Sequence, residues 1–148
     1  MNLIAAIRRT QEWWLFARGE REVSTFEVIQ WWEKRRVPYN LIVGVAGLFT
    51  CAVMVAVAAI ASEKFGEPLG LPDPPILAFL AVIAYGVGAN VCFTGGWISE
   101  VVVHKIWQER AGAFGQIAFT LGLGFSVLLT LAPAALFSGL LIARLVLR

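Results

Sequence analysis

The 12 basic and 10 acidic side chains of this 148-residue chain avoid three long stretches entirely. These run from Val37 to Ser62, from Pro74 to Ser99 and from Ala111 to Ala143, and hold 26, 26 and 33 residues. A hydrocarbon core about 30 Å thick needs roughly 20 apolar residues in a helix to cross it. Each stretch meets that requirement, and few soluble folds could hide three of them. Composition agrees. The chain is 59% hydrophobic with mean hydropathy +0.75. Charged residues make up 15%, against the roughly 25% usual in soluble domains. A net charge of +2 is too small for a general polyanion binder. The reading is a small all-α integral membrane protein of one unit, with no nucleic-acid partner.

The sequence predicts spans at about 39–61, 76–98 and 113–132. Pro38 fits the first turn of the first span, where a missing N–H costs little. The segment between the first two spans, 63–75, carries four prolines and reads as a rigid polar loop. Residues 99–110 read as a short connector whose apolar spacing lets the helix continue. The third stretch is too long for one span and too short for two. It is read as a span followed by a break or kink at Pro133 and an interfacial helix over 134–148, with one long tilted helix as the alternative.

Residues 1–37 are expected to form two amphipathic interfacial helices. In the first, Leu3, Ile4, Ile7, Trp14 and Leu15 share one face, and Gly19 is a natural stop. The second starts at a capping box, Ser24 with Glu27, flanked by Val23 and Val28 as a hydrophobic staple. The chain thus divides into an interfacial segment, 1–37, and a three-span domain, 38–148. No cleaved signal peptide is expected, because Leu3–Ile7 is too short and Arg8-Arg9 follows at once.

Orientation follows from basic residues near span ends. Lys34-Arg35-Arg36 precede the first span, whereas the 63–75 loop has only Lys64. The N-terminus and the 99–110 connector are therefore expected in the cytoplasm of a multi-pass cell-membrane protein, such as one of the bacterial inner membrane. Trp13, Trp14, Trp31, Trp32, Trp97 and Trp107 all fall on that side. They are read as a collar in the headgroups. Packing of these rings against one another over the span ends is the second reading.

Polar positions in spans are costly and often functional. Three small or polar faces recur at four-residue spacing: Asn40/Gly44/Gly47/Cys51, Gly86/Asn90/Thr94 and Gly122/Ser126/Thr130. They are read mainly as helix-packing surfaces, and secondarily as a polar path lined by Asn90 and Thr94. Ser126 and Thr130 are offered as partners for the Asn90 amide. No carboxylate, His or Arg falls in a predicted span core, which argues against a proton pump. His104 lies four residues after Glu100 on the connector. One His and one Glu are too few for a metal site, and an interfacial His on a solvated face is the main reading of His104. Cys51 and Cys92 read as small apolar helix residues. No metal, cofactor or catalytic residue is expected.

The strings Arg35-Arg36-Val37-Pro38-Tyr39-Asn40 and Ala89-Asn90, with Thr94-Gly95-Gly96-Trp97-Ile98-Ser99-Glu100, resemble those of small uncharacterised bacterial multi-pass membrane proteins. The resemblance implies no activity. It implies that Tyr39, Asn40, Asn90, Trp97 and Glu100 matter together. The candidate functional residues are therefore Tyr39, Asn40, Asn90, Thr94, Trp97, Glu100 and His104. The expected function is that of a non-enzymatic accessory or assembly subunit, whose partners are the bilayer and a homo-oligomer or larger complex. The alternatives are an oligomeric transporter or pore for a small solute and, third, a lipid-active membrane enzyme using Glu100 and His104.

Overall fold

The computed structural model describes residues 24–70, 76–107 and 114–147. Among them are three helices and no strands: α1 (Thr25–Phe65), α2 (Ile76–Trp107) and α3 (Phe114–Val146). All three are long and apolar enough to cross a membrane. At 1.5 Å per residue they run roughly 62, 48 and 50 Å, each beyond a hydrocarbon core of about 30 Å.

α1 begins where the capping box places it. The Glu27 N–H donates to Ser24 Oγ at 3.3 Å, and the Ser24 N–H donates to Glu27 Oε2 at 2.9 Å. The helix does not stop before the first span, however. It continues through Pro38 for 41 residues, so the expected second interfacial helix is the first part of α1. Pro38 lies well inside it, not in a first turn. Proline removes one backbone bond, and neighbouring helices offset that loss in membrane-type packing. The other expected amphipathic helix falls outside the described residues. α1 ends after Phe65, where the Gly66 N–H donates to the Ser62 carbonyl at 2.9 Å and Gly66 takes φ 78°. That left-handed C-terminal position favours glycine.

α2 runs past the predicted span end at residue 98 as far as Trp107. The part of the connector that is described is therefore helix. α3 is one helix through Pro133. No separate interfacial helix follows it, in line with the long-helix alternative.

The chain divides into two compact units, and each helix contributes to both. Residues 40–89 and 125–148 form one of them. Its buried centre is Val57, Ala61 and Leu141, with Val53, Phe65, Leu69 and Phe137 packed against it. Gly70 takes φ 87°, and a Cβ there would lie 2.8 Å from both the Met54 and Phe137 side chains. Only glycine fits this turn. Hydroxyls tie the same unit together. Thr50 Oγ1 donates to the Thr130 carbonyl at 2.8 Å. Tyr85 Oη lies 2.5 Å from Thr130 Oγ1 and 3.0 Å from the Ser126 carbonyl. Pro133 has no N–H to offer the carbonyl four residues before it, so the backbone beside Thr130 is weakened. Cross-helix hydroxyls reinforce α3 at that place. Ser126 and Thr130 are thus engaged by Tyr85 and Thr50.

Candidate functional site: a buried carboxylate in an aromatic core

The second unit comprises residues 1–39 and 90–124. Helical spacing assembles its interior. On α1, Val28, Trp31, Trp32, Arg35 and Tyr39 recur every three or four residues, and all are buried. Phe93 and Glu100 on α2 and Phe119 on α3 are buried with them. Trp32 is the hub. Its ring centroid lies 5.7 Å from that of Trp31, 5.2 Å from Phe93 and 5.6 Å from Phe119, each edge to face. Tyr39 packs on Phe93 at 4.9 Å. Such pairs contribute about 0.5–1.5 kcal/mol each beyond burial. Gly96 lets the Trp32 ring approach α2, since a Cβ at Gly96 would lie 2.6 Å from that ring.

Glu100 is 0% exposed. Its Oε2 accepts a hydrogen bond from the Trp32 indole N–H at 2.6 Å. Its Oε1 lies 3.4 Å from His104 Nε2. The geometry of that pair is not that of a hydrogen bond, and His104 Nε2 is a buried atom without one. A third neighbour is Gly115, where a Cβ would overlap the carboxylate. Gly115 is the second residue of α3. The carboxylate therefore lies against the first turn of that helix, where N–H groups are free and the helix dipole is positive. This placement explains a buried acid. The dipole and the indole N–H offset part of its desolvation.

Arg35 is also buried. Its Nη1 donates to the Trp31 carbonyl at 2.9 Å, and the guanidinium sits 3.9 Å from the centre of the Trp31 ring. Arg36 points elsewhere. It holds Glu33 through two bonds of 2.8 and 2.7 Å and reaches Thr94 Oγ1 at 3.3 Å. The Thr94 hydroxyl donates to the Asn90 carbonyl at 2.9 Å.

Of the seven candidate residues, Tyr39, Asn90, Thr94, Trp97, Glu100 and His104 belong to this unit, and Asn40 belongs to the other. Asn40 is exposed. Trp97 is half-buried, and its indole nitrogen is enclosed without a hydrogen-bond partner. His104 does not lie on a solvated face as expected. Glu100 is enclosed, and the His104 side chain is 17% exposed. Trp31 and Trp32 take the second placement open to them, ring against ring. Sequence reasoning missed Trp32 as the carboxylate's donor, as well as Arg35, Gly96 and Gly115. Trp32 and Glu100 are 68 residues apart, and no local pattern pairs them. Gly115 read as one more packing glycine in an apolar span.

The described residues hold no group of three or more His, Cys, Asp or Glu side chains able to bind a metal ion. The described residues define a class: an all-helical fold with three helices long and apolar enough to span a membrane. Comparison with models of known families, with curated proteins and with solved structures finds no match.

Proposed function

We propose that the protein is a non-enzymatic subunit of a cell membrane, such as the bacterial inner membrane, with its N-terminus in the cytoplasm. It acts through the sides of its helices and through the Trp-rich segment at their cytoplasmic ends. The observation that carries this reading is how little of each span the chain buries itself. In the most apolar windows of α1, α2 and α3, 28%, 6% and 17% of residues are buried. α2 presents Phe79, Leu80, Val82, Ile83, Val87 and Val91 outward. Lipid can cover such a helix, and so can the helices of a partner.

The Glu100 site supports the same reading. A catalytic acid needs an approach for substrate. This carboxylate is closed in by Trp32, His104 and the start of α3, so its role is to hold three helices together. Extraction in a mild detergent, followed by native mass spectrometry, tests the proposal. A discrete species heavier than the monomer is expected. A monomer from both mild detergent and native nanodiscs would overturn it. Solute flux through liposomes that is lost in Asn90→Leu, with fold and assembly intact, would move the assignment to a pore. Lipid turnover by the pure protein would move it to an enzyme.

A further inference from the structure

We draw no further inference here: the strongest candidate, the polar cluster of Trp97, Glu100 and His104 on one face of α2, in which Trp97 Nε1 and His104 Nε2 are enclosed without hydrogen-bond partners, belongs to the site already described, and nothing in the structure shows what ligand those two atoms would meet.

Discussion

At the scale of single residues, the structure concentrates its demands on a few atoms around Glu100. The Trp32 indole N–H donates to the fully buried carboxyl group of Glu100. Trp32→Phe keeps most of the ring and removes that donor, so the carboxylate loses a hydrogen bond it cannot regain from water. A cost of about 1–3 kcal/mol is expected, read as a lower unfolding temperature in detergent. An unchanged midpoint would show that the bond contributes nothing. The glycines give a sharper contrast. Gly115→Ala puts a methyl group into the carboxylate, whereas Gly122→Ala meets nothing within 4 Å. Alanine is the better helix former by about 1 kcal/mol. Gly122→Ala is therefore expected to leave the isolated chain as stable or slightly more so, and Gly115→Ala to destabilise it by about 1–3 kcal/mol as an overpacked site does. Equal midpoints for the two variants would refute the assignment of Gly115 as the carboxylate's neighbour.

At the scale of the helix, the three hydroxyls of Thr50, Tyr85 and Thr130 fasten α3 near its proline. Thr50→Val keeps the shape and deletes the donor to the Thr130 carbonyl. Interhelical bonds of this type average about 0.6 kcal/mol and reach about 1.7. The same range is expected for Tyr85→Phe. Because both side chains meet Thr130, the double variant is expected to cost less than the two single losses together. Thermal or denaturant unfolding of the four proteins checks this, and strict additivity would show that the two bonds are independent. The same elements mark what can be read in a sequence of this type. Charge-free stretches locate spans because charge reports the solvent around a residue. They do not report where a helix ends. Lys34-Arg35-Arg36 and the charges after Ser99 interrupt the hydropathy pattern while α1 and α2 run straight through them. Ser24 and Glu27 were legible because a capping box is local chemistry. Glu100 and His104 were legible as a pair for the same reason, four residues apart on one helix. Their burial was not, because it depends on Trp32 and Gly115, which the fold alone brings to them.

At the scale of the whole molecule, the proposed orientation has a test that the structure improves. The proposal rests on the basic run Lys34–Arg36 and on the stretch 63–75 at and beyond the end of α1, whose only basic residue is Lys64. Gly70 is a poor reporter in that stretch, because its φ and its neighbours Met54 and Phe137 admit no side chain. Glu67 is exposed and follows the helix end directly, and Gln30 is exposed on the polar side of α1. In chains lacking Cys51 and Cys92, an impermeant thiol reagent applied to intact cells is expected to label Glu67→Cys and spare Gln30→Cys. Inverted or permeabilised membranes are expected to expose Gln30→Cys as well. The opposite pattern would invert the topology. It would also place Arg36 with its Glu33 partner, and Glu100, on the outer side of the membrane. Labelling of both sites in intact cells would mean that the chain inserts in two directions. The single-sided count of basic residues would then be too weak to direct it.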